Sequence, residues 1–168
     1  MAWSTSKLFR QWMTDTLGQT YTTMAQADLD VASSLKAVLY DNSITPDQDV
    51  TAAASAYTGG VWTATGGQTG TAQVYHTGQW AQGGIVVPST ALSNVAGGIT
   101  KFTSGNIVSG AAATMSNIYG MYIYIDAITA PTADVGLGYW YFGGTGYSVT
   151  SGTLTVTPNA SGLFTMSV

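Results

Sequence analysis

Apolar residues recur at three- and four-residue intervals in one stretch of this chain. Leu8, Phe9, Trp12, Met13 and Leu17 fall on a single stripe, which predicts an amphipathic helix over residues 4–17. Ser4, Thr5 or Ser6 can cap its start, and Gly18 can end it. Lys7 and Arg10 near the start and Asp15 near the end oppose the helix dipole. Such a helix is marginal alone and needs something to dock on. That is either the core of its own domain or a neighbouring subunit, reached by an arm of residues 1–30.

Beyond Gly18 the pattern changes to a two-residue period. Leu35, Ala37 and Leu39 alternate with Lys36, Val38 and Tyr40, and Asp41-Asn42-Ser43 and Thr45-Pro46-Asp47 are turn chemistry. Short strands are predicted over 61–65, 71–76, 84–88, 99–103 and 106–108, with Gly59-Gly60, Gly66-Gly67 and Gly78 among the turns and Pro88 stopping a strand or holding it at an edge. The strongest strand is 118–127. Tyr119, Met121, Ile123 and Ile125 share one face, and Ile118, Gly120, Tyr122, Tyr124 and Asp126 the other. Both faces are apolar or aromatic, so this strand is expected to be central and covered on both sides. Residues 138–142 form another strand, followed by Gly143-Gly144-Thr145-Gly146 as a hairpin loop. Thr153, Thr155 and Thr157 alternate with Leu154 and Val156, and at the end Phe164, Met166 and Val168 are expected inward. Short strands between glycine turns predict a mainly β fold, an antiparallel sandwich or barrel-like domain over 31–168 with a short N-terminal amphipathic helix. Alternating βα units are missing.

Charge alters this picture more than length does. Only 7% of the 168 residues are charged, against about 25% in an ordinary soluble domain. There is no glutamate, and from Thr51 onward only Lys101, Asp126 and Asp134 carry charge. The surface of that long segment is therefore Thr, Ser, Gly, Gln and Asn. It does little to keep copies apart but can be covered by a neighbour without burying ions. Four scattered basic residues and a net charge of −4 argue against nucleic acid. No apolar run approaches the roughly 20 residues that span a bilayer, and no secretory signal is visible at Met1-Ala2-Trp3-Ser4. Cysteine is absent, which removes disulfides and thiolate metal sites.

Candidate chemistry is sparse. His76 is the one histidine and lies in a strand pattern without a local carboxylate or a Gly-x-Ser-x-Gly elbow, so no enzyme is expected. Asp41, Asn42, Asp47 and Asp49 are the densest oxygen-ligand group, but their spacing is not that of the 12-residue calcium loop. Asx-turn and capping roles are expected, with calcium at Asp41, Asp47 and Asp49 the weaker reading. Trp62, Trp80, Trp140 and the tyrosines at 119, 122, 124, 139, 141 and 147 suit a core, a subunit interface or a sugar platform; core and interface are favoured.

The segments Leu35-Lys36-Ala37-Val38-Leu39-Tyr40, Ile44-Thr45-Pro46-Asp47-Gln48-Asp49, Gly120-Met121-Tyr122-Ile123-Tyr124, Tyr141-Phe142-Gly143-Gly144, and the ending Gly152-Thr153-Leu154-Thr155-Val156 to Gly162-Leu163-Phe164-Thr165 form a set of short patterns. Together they resemble a family of small structural proteins from tailed bacteriophages of actinobacteria. The segments are turn and strand patterns, so the resemblance implies no catalytic residue and no cofactor. It implies a virion protein assembled in the cytoplasm of a bacterial host. The expected role is a capsid decoration or minor capsid protein that binds the major capsid protein and itself, as a homo-oligomer. A tail tube or tail-tip component and a carbohydrate-binding module of a fibre are the alternatives. Phe9, Trp12 and Met13 on the helix stripe, with Trp62 and Trp80 expected to be exposed, are the anticipated contacts.

Overall fold

The computed structural model describes residues 3–18, 29–31 and 34–167. The chain is mainly β, with antiparallel sheets and, among the described residues, two helices and no closed barrel. At its centre lie β2 (Leu35–Tyr40), β10 (Gly120–Ile125) and β11 (Gly136–Tyr141), all antiparallel. The same sheet takes in β1 (Lys7–Leu8) beside β11, β5 (Ile85–Val86) and β4 (Gln73–Val74) beside β2, and β3 (Gly66–Gly67) parallel to β4. Three small antiparallel sheets stand around it. One pairs β9 (Ala113–Ile118) with β12 (Tyr147–Gly152), and another β8 (Ile107–Val108) with β13 (Thr155–Val156). In the third, β7 (Ile99–Thr103) lies between β6 (Ala91–Val95) and β14 (Phe164–Ser167).

β10 occupies the middle position that its two apolar faces predict. All six of its residues are buried. On one face Tyr122 stacks on Trp62 at 4.4 Å, and Trp3, Phe9, Tyr40 and Tyr139 surround Trp62 at 5.3–6.0 Å, in edge-on or tilted contacts. Such pairs add about 0.5–1.5 kcal/mol each beyond area burial. Gly120 is required here, because a Cβ would come within 2.4 Å of the Trp3 ring. The tyrosine hydroxyls reach backbone carbonyls: Tyr122 donates to Ser55 at 2.6 Å, Tyr124 to Gly83 at 2.9 Å and Tyr40 to Thr63 at 3.1 Å.

The N-terminal segment differs from its prediction. Lys7 and Leu8 pair with Tyr139 and Gly138, so the helix α1 begins only at Arg10 and runs Arg10–Leu17. Ser4, Thr5 and Ser6 therefore do not cap it. Phe9 holds the cap position without a side-chain hydrogen bond, and the Arg10 N–H donates to the Gln48 carbonyl instead. Gly18 does end the helix, donating to Thr14. With Trp3, Phe9 and Trp12 in the core, the described part of the 1–30 segment covers its own domain. It is not a free arm.

Other departures have local causes. Residues 61–65 form no strand, because Trp62 turns inward from a loop that follows α2 (Ala52–Ser55). The expected strand 118–127 breaks at Tyr119, whose N–H goes to Tyr40 and whose carbonyl accepts from Phe142; Ile118 belongs to β9. Gly143-Gly144-Thr145-Gly146 is not a hairpin loop, since β12 pairs with β9 and not with β11. Strands β6 and β9 were not predicted; β6 has no buried face to create an alternation. At the end Phe164 packs on Phe102, Met166 is exposed, and Val168 lies outside the described residues.

Trp62→Ala should lower stability by about 3–5 kcal/mol, the range for losing a large buried aromatic. Urea unfolding at neutral pH measures it; a loss below about 1 kcal/mol would remove Trp62 from the centre of the core.

Candidate interaction surface

The structure redistributes the predicted contact residues. Phe9, Trp12, Trp62 and Trp80 are all buried within the chain, Trp80 with its Nε1 donating to the Ala37 carbonyl at 3.1 Å. They cannot meet a partner while the fold is intact, which corrects that expectation. Met13 is exposed on the outer side of α1, next to Leu17, which is 86% exposed. The sequence signal misled because a stripe of large apolar residues has the same period whether it faces a domain core or a subunit boundary.

The acidic group at 41–49 is dispersed into structural duties. Asp41 accepts hydrogen bonds from the Ser43 N–H and hydroxyl, and from the N–H groups of Thr71 and Ala72. Thr71 and Ala72 have φ of 95° and 105°, a conformation that disfavours side chains by about 1–3 kcal/mol each; the carboxylate holds that turn. Its own carbonyl accepts from Trp3 Nε1 at 2.7 Å, tying the aromatic core to the same corner. Burial works to raise the Asp41 carboxyl, but the four hydrogen bonds outweigh it and hold it below its ordinary value. Asp47 accepts from the Asp49 N–H, and Asp49 pairs with Arg10 at 3.0 Å on the surface. Among the described residues no three His or Asp side chains converge as a metal site would require.

His76 is part of a tight turn, bridged to Trp80, and its Nδ1 accepts from the Thr114 N–H at 2.8 Å. That acceptor role places the proton of the neutral ring on Nε2 and joins the 76–80 turn to β9. Lys36 and Asp126 pair at 2.9 Å across the sheet end. Beside them, burial and then the Asp126 charge push the Asp134 carboxyl up, against the pull of Lys36. Burial also raises the phenols of Tyr40, Tyr122 and Tyr124, so they act as neutral donors.

Two surface features remain once these residues are assigned. The first is a groove of three depressions, about 260, 290 and 280 Å³, that share lining residues. Trp140 lines two of them, with its Nε1 donating to the Leu163 carbonyl at 2.9 Å. Phe142 and the half-exposed Tyr147 form the apolar end with Leu154 and Val156, and Lys7 is the one charged residue in its lining. The second is the edge strand β6, exposed along all five residues. No helix among the described residues is long and apolar enough to cross a membrane.

Asp41 generates a pH signature. Because its carboxyl is depressed, its contribution is complete above the unfolded value near pH ~3.9 and is lost as pH falls through the lower folded value. The raised carboxyl of Asp134 acts in the opposite direction, and its penalty is relieved in acid. Asp41→Asn should cost about 1–3 kcal/mol at neutral pH and flatten the acid limb of the urea-unfolding profile; an unchanged limb would show that the Thr71 and Ala72 contacts do not depend on the charge. The chain matches no protein-family model, and comparison with curated proteins and with solved structures finds no match to either.

Proposed function

We propose that the protein is a structural component of a virus particle: a capsid decoration or minor capsid protein of a tailed bacteriophage, which binds and stabilises the major capsid lattice. The observation that carries this reading is the neutral outer surface. Past Thr51 the chain has three charged residues, of which Asp126 is paired with Lys36 and Lys101 donates to the Ala160 carbonyl. Such a surface can be covered with little ionic desolvation, and the groove, with Lys7 its one charged lining residue, and the open edge of β6 offer places to cover it. The segments that resemble the phage family lie in β2, in β10 and toward the chain end, and that resemblance supports the assignment to a particle. Stabilisation of a shell would come from uncharged surface buried across subunit boundaries and from strand addition at a sheet edge.

A second reading has one observation in its favour. Trp140, Phe142 and Tyr147 line the groove, and aromatic linings also suit saccharides. A carbohydrate-binding role at a fibre would use that groove, whereas a tail tube or tip component would use edges and faces for self-assembly.

The purified protein should co-sediment with undecorated capsids of its own phage at a fixed copy ratio, and Tyr147→Asp should weaken binding about tenfold or more, equivalent to about 1.4 kcal/mol. Binding to isolated tails alone, or tubes formed without capsids, would overturn the capsid assignment. Saccharide-dependent quenching of tryptophan fluorescence without capsid binding would favour the fibre module.

A further inference from the structure

The edges of the main sheet are protected by brevity: β1 and β3, at its two ends, have two residues each. β12 is interrupted by register shifts on either side of Val149. The outer side of β14 borders the groove, facing Lys7, Leu8 and Trp140. β6 has none of these protections. It pairs with β7 in unbroken register from Ala91↔Thr103 to Val95↔Ile99, and contains no proline and no charge. Beyond that ladder it makes no backbone–backbone hydrogen bond among the described residues. An edge that is regular, neutral and exposed is what natural proteins blunt unless it is used.

We infer that β6 pairs antiparallel with β6 of a second copy, about a two-fold axis at Ser93, doubling the β14–β7–β6 sheet across the dimer. This deepens the assembly role proposed above and rests on it for its biological setting. The sequence of the strand is self-complementary in this arrangement. Ala91 meets Val95 of the second copy, Leu92 meets Asn94, and Ser93 meets Ser93, with no like charges opposed. It is the one antiparallel register that uses all five residues.

Parity supports the same axis. In an antiparallel ladder alternate residues turn their N–H and C=O groups outward. A two-fold centred on a residue pairs odd positions with odd and even with even. Whichever set faces away from β7 therefore meets the same set on the second copy. Pairing β6 of one copy with β14 of another would instead be head-to-tail, giving a ring or an open filament, and would have to enter the groove. Closed two-fold contacts are the commonest solution for identical chains.

One strand pair covers less than the roughly 1,600 Å² of a standard interface. Pairing in solution should therefore be weak, at micromolar or higher dissociation constants, and should strengthen where a shell holds copies together. The test is sedimentation velocity of the full chain up to about 1 mM, without particles. The wild type should show a concentration-dependent dimer. Leu92→Lys with Asn94→Lys places lysine against lysine twice and should weaken the dimer tenfold or more. Leu92→Lys with Asn94→Asp places lysine against aspartate twice and should keep it. A monomeric wild type, or two double variants that behave alike, would overturn the inference. Amide hydrogen exchange of the wild type adds a reading that needs no variant: exchange in β6 should slow as concentration rises, and a dimer that leaves it unchanged pairs elsewhere. Shell binding by a chain that stays monomeric would defeat this inference alone; a dimer that binds no shell would defeat the capsid role alone.

Discussion

Trp62 and Tyr122 lie face to face at 4.4 Å, and the fold depends on that stack. A chain with so few charges has little to gain from ion pairs, and no cysteine to staple it. Its cohesion must come from apolar area and ring contacts, at about 25 cal/mol per Å² of apolar surface buried. Trp62 arrives from a loop, Tyr122 from the central strand, Phe9 from the link between β1 and α1, and Trp3 from the N-terminal segment. Four separate parts of the chain are thus held at one point. The tyrosine hydroxyls bind carbonyls, so the layer is ordered as well as apolar.

Asp41 supplies the second constraint, and it is polar. It sits just past β2 and anchors the 70–72 turn, the 41–43 turn and the Trp3 ring. The positive φ angles at Thr71 and Ala72 persist because the carboxylate draws both N–H groups. In a chain with eight acidic residues, this one is committed to architecture. Asp49, paired with Arg10, joins the same stretch to the start of α1.

With most of its charges before residue 50 and only Lys101, Asp126 and Asp134 beyond it, the rest of the surface is largely neutral hydroxyl, amide and small apolar groups. That composition does little to repel other copies and little to attract nucleic acid. In the assembly role proposed above, shape and backbone would be the means of recognition. The groove around Trp140 offers shape; β6 offers backbone. β6 lies on a small sheet, away from the aromatic layer, whereas the groove runs between the main sheet, at Met121 of β10 and Trp140 of β11, and residues of the small sheets.

The sequence alone determined the β class, the central place of β10, the stop at Gly18, the turn role of Asp41 and the neutral surface, because each follows from local period or composition. Tertiary structure decided the rest. Leu8 and Phe9 fit a helical stripe, yet their backbone was taken by β11, since a sheet edge satisfies N–H and C=O groups that a first helical turn leaves free. The sequence reading places Trp62 and Trp80 at the surface, and only the arrival of Trp3, Phe9 and Tyr122 around the first, and the Ala37 carbonyl above the second, buries them. β6 carries no alternation, because neither of its faces is covered, and it became a strand only by pairing with β7. Periodicity reports which residues must leave water; it does not report which element, or which copy of the chain, takes them in.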